Sequence, residues 1–340
     1  MGKIVCFGEI MLRLNPEGYL RIVQAQQFNI SYAGAEANVA VSLANYGEDA
    51  NFVSAVPDNL LGTSAIKSLE HWGVNTKFIK RKGERLGIYF IEKGASQRPS
   101  TVLYDRKSSS ITTLRKDDIN WDEIFKDTDW FHFTGITPAL SENLVDITLE
   151  ACKKAKALGI VVSCDLNYRK NLWSKEEAKK AMGTIVPYVD VLIANEEDSS
   201  DVFGIQAKQT EITKGEISIE GFKEVAIELQ KTFGCKYIAI TMRGSISATI
   251  NTWTGILFDG SQFYSSPLYE IYMVDRVGGG DSFGGALIYA LKNGYNGQEA
   301  IDFAVAASCL KQTIEYDFNH VTVEEVNKLM KGDGSGRVQR

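Results

Sequence analysis

A run of three glycines between an apolar extended stretch and an apolar helix constrains this chain more than any other feature. Tyr269-Glu270-Ile271-Tyr272-Met273 reads as a strand, Ala286 to Leu291 as a buried helix ending near Gly294, and Val274 to Gly285 joins them through Gly278, Gly279 and Gly280. Glycine lets main-chain N–H groups point into a tight turn that a Cβ would obstruct. The first N–H groups of a helix lack internal partners, and the helix dipole adds positive charge at that end. Such a junction holds an anion, most often a phosphate. Asp281 stands in the first turn of the helix. As a cap or first-turn residue it needs no further reason to be there. Beside a bound phosphate, however, its charge costs repulsion, and accepting a proton from an attacking hydroxyl is a chemical reason for it.

The rest of the chain supplies a frame for that junction. Lys3-Ile4-Val5-Cys6-Phe7 is a continuous apolar run, as expected for a strand buried on both faces. Ala33 to Tyr46 reads as a buried helix stopped by Gly47, Asn51 to Val56 as a strand, and Asn59 to Trp72 as a helix stopped by Gly73. This β-α-β-α order opens a parallel sheet with crossover helices. The alternation resumes after Trp121, with strands at 129–133, 160–164, 190–194 and 236–241. Helices are expected at 142–158, from the Ser174-to-Glu177 capping box, at 219–233, and near 299–313 and 322–330. Residues 205–219 read as a polar loop.

Two stretches break the pattern. Residues 10–33 are extended, and 77–107 hold short strands at 78–80, 87–91 and 100–104 with no helices between them. Such a block reads as an antiparallel sheet, a second layer or lid. The expected division is therefore a core from 1–9, 34–76 and 108–331, a β lid from 10–33 and 77–107, and a flexible tail over 332–340.

A formal net charge of −6 and a pI near 5.4 argue against a nucleic-acid partner. No apolar run reaches transmembrane length, and Glu9 and Arg13 interrupt any N-terminal leader pattern. The five cysteines are scattered through apolar runs, which predicts free buried thiols, a reducing cytoplasm and no structural zinc.

In open parallel sheets ligands sit beyond the carboxyl ends of strands. Asp165, Asn167 and Arg169 fall there, as does Asn195-Glu196-Glu197-Asp198. The acidic cluster reads either as a helix N-terminus or as a set of groups ordering water around Mg²⁺. Gly34 and Asn38 open a buried helix. There Asn38 either faces a ligand or bonds a neighbouring main-chain group.

Four segments carry a resemblance. Ala33-Gly34-Ala35-Glu36-Ala37-Asn38 with Gly47, Asn195-Glu196-Glu197-Asp198, Thr241 to Gly244, and Asp275 to Asp281 resemble, in that order, the signatures of the ribokinase-like (PfkB) carbohydrate kinases. Two positions depart from the pattern: Asp198 stands where Glu is usual, and Arg276 where a small or β-branched residue is usual. The resemblance implies a ribokinase-like three-layer α/β/α domain with a mostly parallel sheet and a small β lid. It implies ATP with Mg²⁺, and a homo-oligomer formed through the lid. It places Asp281 as the base and Gly278, Gly279 and Gly280 around the transferring phosphoryl group. Asn167, Asn195, Thr241, Arg243, Gly244, Gly278 and Gly280 would hold the nucleotide, and Glu197 and Asp198 the metal through water.

Within the family, Tyr104-Asp105-Arg106, Asp165 to Arg169 and Asp317-Phe318-Asn319 resemble members acting on 2-keto-3-deoxygluconate. A sugar acid calls for an arginine fork, and Arg106 and Arg169 are the candidates. The resemblance adds Gly34, Asn38, Tyr89 and Tyr104 as sugar-binding residues. The competing readings are a neutral-sugar kinase such as a fructokinase, and an inactive sugar-binding regulator. A Rossmann dehydrogenase is disfavoured because Gly8 leads into Glu9-Ile10-Met11 rather than a glycine fingerprint, and a P-loop kinase because no G-x-x-x-x-G-K-[ST] occurs.

Overall fold

The computed structural model describes residues 2–195, 197–206 and 219–332. Glu196, most of the polar loop read at 205–219, and the tail read beyond Gly332 lie outside the described residues. The first half of the chain forms β1 (Lys3–Phe7), β2 (Met11–Asn15), β3 (Asn29–Ala33), α1 (Ala35–Asn45), β4 (Ala50–Val56), α2 (Leu60–His71), β5 (Ile79–Arg81), β6 (Gly87–Glu92) and β7 (Thr101–Asp105). The α/β run continues with α3 (Trp121–Ile124), β8 (Thr128–Thr134), α4 (Ile136–Ala139), α5 (Glu142–Ala157), β9 (Val161–Asp165), α6 (Lys175–Ile185), β10 (Val191–Asn195) and α7 (Asp198–Phe203). It ends with α8 (Ile219–Phe233), β11 (Tyr237–Ser245), β12 (Ile250–Phe258), β13 (Phe263–Ser265), β14 (Tyr269–Tyr272), α9 (Gly279–Lys292), α10 (Gly297–Lys311) and α11 (Val323–Met330).

The large sheet has the order β13-β12-β11-β10-β9-β8-β1-β4-β5, with β14 also paired to β12. From β11 to β5 its pairs are parallel. Ile4 and Cys6 of β1 face one apolar core with α1, α9 and α10, whereas Val5 and Phe7 face a second core with α5 and α6. Burial on both faces is why β1 reads as an unbroken apolar run. The result is three layers, α/β/α. All five cysteines are free and buried. Among the described residues no helix is long and apolar enough to cross a membrane.

The second sheet, β3-β2-β6-β7, is the lid, and it corrects the expectation in two ways. Ile79–Arg81 does not join it, but extends the large sheet beside β4. The lid is also not wholly antiparallel, because β2 runs parallel to β6. Both strands leave the large sheet from its carboxyl edge, one after β1 and one after β5, so they point the same way.

Arg13, on β2, fastens the lid to the core. It is fully buried, with its two terminal nitrogens 2.6 Å from Asp275 and 2.6 Å from Asp317. Tyr89 of β6 donates to the same Asp317 oxygen at 2.8 Å. Removing one member of such a cluster strands the others' charges without compensation. We expect Arg13→Met to lower the unfolding free energy by about 3–5 kcal/mol, measured by urea denaturation. A loss below about 1 kcal/mol, the ceiling for an exposed pair, would show that the ion pair does not anchor the lid.

Candidate active site

A cavity of about 450 Å³ lies beyond the carboxyl ends of β1, β9, β10 and β11 and is covered by lid residues Met11, Tyr89 and Tyr104. It gathers Gly34, Asn38, Tyr89, Tyr104, Arg106, Asn167, Arg169, Asn195, Glu197, Thr241, Arg243, Gly278, Gly279, Gly280 and Asp281. Two residues singled out from sequence do not line it. Gly244 is an interior position of β11 paired with Thr252, because the strand runs on to Ser245 instead of turning after Thr241. Side chains alternate along a strand, so Thr241 and Arg243 face the cavity and Gly244 does not. Asp198 is buried and accepts N–H groups from Tyr168 at 3.0 Å and Asn195 at 3.3 Å. It closes the start of α7, and only Glu197 of that acidic pair reaches the cavity.

The glycine junction has the geometry its sequence requires. Gly278 precedes α9 with φ of +81°, and a Cβ there would lie 2.1 Å from the Asp317 carbonyl oxygen. Only glycine fits both conditions. Ser308 of α10 donates to the Gly279 carbonyl at 2.7 Å, holding that oxygen behind the turn. Among the described residues the N–H groups of Gly280 and Asp281 have no hydrogen-bond partner, leaving them available to an anion.

Asp281 accepts a 2.6 Å hydrogen bond from the Asn38 amide, and Asn38 also receives the Gly34 N–H at 3.4 Å. Asn38 thus does both things its position allowed: it bonds main chain and it aims at the site. A Cβ on Gly34 would lie 1.8 Å from the Glu9 carbonyl oxygen, so this close approach of α1 to the end of β1 sets where Asn38 begins. The helix dipole by itself favours an ionised Asp281. Instead burial pushes its carboxyl up to about 6, opposed by the Asn38 hydrogen bond and assisted by the charge of Asp317. Asp165, also lining the cavity, is raised well above the carboxylate range by burial and by the charges of Asp198 and Asp281.

The two sequence-selected arginines differ. Arg106 is ion-paired with Glu9, which also accepts from Ser109, so its charge is largely committed. Arg169 donates to the Tyr168 carbonyl at 2.9 Å and forms no ion pair among the described residues. Arg243 and Arg276 also line the cavity without carboxylate partners, and burial and Arg243 together lower the pKa of Arg276. A polyanion relieves such a like-charged pair.

A family model described as pfkB family carbohydrate kinase matches residues 1–315. This chain belongs to that family. The kinase is 34% identical over 334 residues to a 2-dehydro-3-deoxygalactonokinase of Haloferax volcanii, covering 98% of both chains. It is 49% identical to the crystal structure of a 2-dehydro-3-deoxygluconokinase from Thermotoga maritima, with a TM-score of 0.94 over 97% of this chain and 98% of that one. A fructokinase from Xylella fastidiosa, 20% identical with a TM-score of 0.74 over 97% and 98% of the two chains, shares the ribokinase-like fold.

The site also contains residues that sequence reasoning did not select for it. Asp317 joins Arg13 to Tyr89 at the cavity wall, Arg276 lines the cavity beside Arg243, and Trp253 lines it with an indole N–H that has no partner among the described residues. Arg276 carried a signal, as a charged residue at a family position that is usually small. Asp317 lay in the Asp317-Phe318-Asn319 segment that carried the resemblance but was given no role, and Trp253 carried no signal, since both depend on strands far away in sequence.

A base must be ionised to act, and kcat/KM reports the free enzyme. Turnover of this carbohydrate kinase should therefore rise with pH through an acid limb near 6. Asn38→Ala removes a hydrogen bond that lowers the Asp281 pKa, so the limb should move to higher pH. A limb that stays in place in the variant would separate it from Asp281.

Proposed function

We propose that this kinase transfers the γ-phosphoryl group of ATP to the primary 6-hydroxyl of 2-keto-3-deoxygluconate. The observation that carries the reading is the sharing of one cavity by Asp281, the N–H groups at the start of α9 that have no partner among the described residues, and the guanidinium of Arg169, which forms no ion pair among them. Its 49% identity to a 2-dehydro-3-deoxygluconokinase, the same sugar acid under its other name, supports the choice of acceptor.

The hydroxyl oxygen forms a bond to the γ-phosphorus as the bond from that phosphorus to the bridging oxygen breaks, and its electron pair leaves with ADP. The hydroxyl proton passes to Asp281, held in place by Asn38. Phosphoryl transfer has a loose transition state, so positioning and charge stabilisation matter more than a strong base. The N–H groups of Gly280 and Asp281 stabilise the migrating group, and Arg243 and Arg276 balance triphosphate charge. Arg169 meets the sugar carboxylate. Tyr89, Tyr104 and the Arg106–Glu9 pair form the acceptor wall under the lid, which excludes water as a rival acceptor.

Mg²⁺ would neutralise phosphate charge. Among the described residues no group of three His, Cys, Asp or Glu is placed to hold a metal. The Glu197 carboxylate faces the cavity without a hydrogen bond or ion pair, so the residues fit a metal carried mainly by the nucleotide and reached by Glu197 and Asn195 through water. The lid offers a second proposal, pairing with another copy of the chain. Strand β7 is an exposed edge, with Leu103 58% and Tyr104 42% accessible, and Ile30 of β3 is 64% accessible. Such edges are normally covered or paired.

A coupled ADP-release assay should show turnover with 2-keto-3-deoxygluconate well above that with fructose, ribose or gluconate. Asp281→Asn should lose at least about 100-fold in kcat, the lower range for a positioned proton acceptor, while still binding ATP. Preference for a neutral sugar would refute the acceptor assignment, and a variant within a few fold of wild type would refute Asp281 as base. Sedimentation should show a dimer that Leu103→Lys converts to monomer, and a monomeric wild type would refute pairing through the lid.

A further inference from the structure

One charged group beneath the glycine turn plays no part in the reaction just described. Lys311 is the last residue of α10, and its side chain is fully buried. Its ammonium donates to the carbonyl of Asp275 at 3.3 Å and to the carbonyl of Val277. Among the described residues it forms no ion pair with any carboxylate. Both acceptors belong to the segment that leads into Gly278.

A turn that aims its N–H groups at an anion must direct carbonyl groups the opposite way, and buried carbonyls need donors. The Gly279 carbonyl is met by a neutral hydroxyl, that of Ser308. A neutral donor would serve Asp275 and Val277 at far lower desolvation cost than an unpaired ammonium. The charge therefore requires a reason beyond hydrogen bonding. It lies behind the amides that face the phosphoryl group, where negative charge is concentrated during transfer, and fixed charge in such a place stabilises the transition state.

We propose that Lys311 is a positioning residue that acts as a built-in monovalent cation: it gathers the Asp275 and Val277 carbonyls, holds the following N–H groups in their anion-binding arrangement, and frees turnover from any need for added K⁺ or Na⁺. An ammonium and a potassium ion both bind converging carbonyl oxygens and carry the same charge, so one can stand where the other would. Burial lowers the pKa of Lys311 and Arg13 adds to the fall, while the charges of Asp275, Asp317 and Asp281 oppose it.

The proposal rests on the kinase reading, and its test keeps the two separable. Lys311→Met preserves length and apolar burial without charge, and Lys311→Gln preserves a donor to the carbonyls without charge. Both should lose about 100-fold or more in kcat, the cost of one lost anion-hole donor, with smaller changes in KM. The methionine variant should recover turnover in KCl or methylammonium chloride but not in tetramethylammonium chloride. KCl should also raise its melting temperature relative to tetramethylammonium chloride at equal ionic strength, because an ion bound only by the folded state stabilises it. Wild type should show neither response. Activation or stabilisation of wild type by K⁺ would overturn the proposal, as would a glutamine variant as active as wild type, or a methionine variant that no cation rescues. A wild type that releases no ADP with any sugar acid refutes the kinase reading alone, since the melting comparison still decides the role of Lys311.

Discussion

The pairing of buried Arg13 with both Asp275 and Asp317 is the interaction on which the site depends. One guanidinium fork joins three segments far apart in sequence: lid strand β2, the turn into α9, and the segment after α10. Two carboxylates buried at this depth need a buried cation beside them, because desolvation costs several kcal/mol per ion. Satisfied together, they fix the lid's inner strands against the glycine turn. Tyr89 adds lid strand β6 to the same Asp317 oxygen. The lid wall of the cavity and the glycine turn are thus two sides of one electrostatic joint.

The division of charge within the cavity follows from that joint. Arg243 and Arg276 lie unpaired where the triphosphate would rest, Arg169 lies unpaired near the carboxylates, and Arg106 is neutralised by Glu9. The cations without an ion pair among the described residues are therefore the ones free to meet an anion, and the paired one is held in the cavity wall. An exposed arginine pair of this kind would gain little from holding charge apart, since water screens it. Arg276 is exposed and Arg243 only partly buried, so water screens much of their repulsion and a polyanion relieves what remains.

What could be read from the sequence was local or periodic. The alternation of strands and helices shows in runs such as Lys3–Phe7, where burial on both faces leaves no polar residue, and in the glycines at 47, 73, 159 and 234 that stop helices with positive φ. The turn at 278–280 shows because three glycines in succession have few other uses. Interactions that depend on distant partners were hidden. Nothing near Arg13 announces two carboxylates more than 260 residues away. Nothing near Ile79 shows that its strand pairs with β4 rather than with the lid. Asp198 looked like a candidate for the cavity because its neighbours are polar, yet it spends both oxygens on main-chain N–H groups. Lys311 carried a signal that went unused: a lysine closing the run Ala306-Ala307-Ser308-Cys309-Leu310, in a helix apolar nearly all round.

The protonation state of Asp281 shows why local rules fail at such a site. A helix N-terminus stabilises a carboxylate by about 0.3–1 kcal/mol, which alone would hold Asp281 ionised and weakly basic. Its rise from 3.8 to about 6 corresponds to about 3 kcal/mol in the opposite direction. Burial therefore outweighs the dipole, although the dipole was the only effect visible in the sequence. A carboxylate near 6 is mostly ionised at neutral pH yet basic enough to accept a proton as the acceptor oxygen commits to phosphorus. The glycine turn alone would have produced a phosphate site with a poor base beside it. Burial is what lifts the Asp281 carboxyl out of that range.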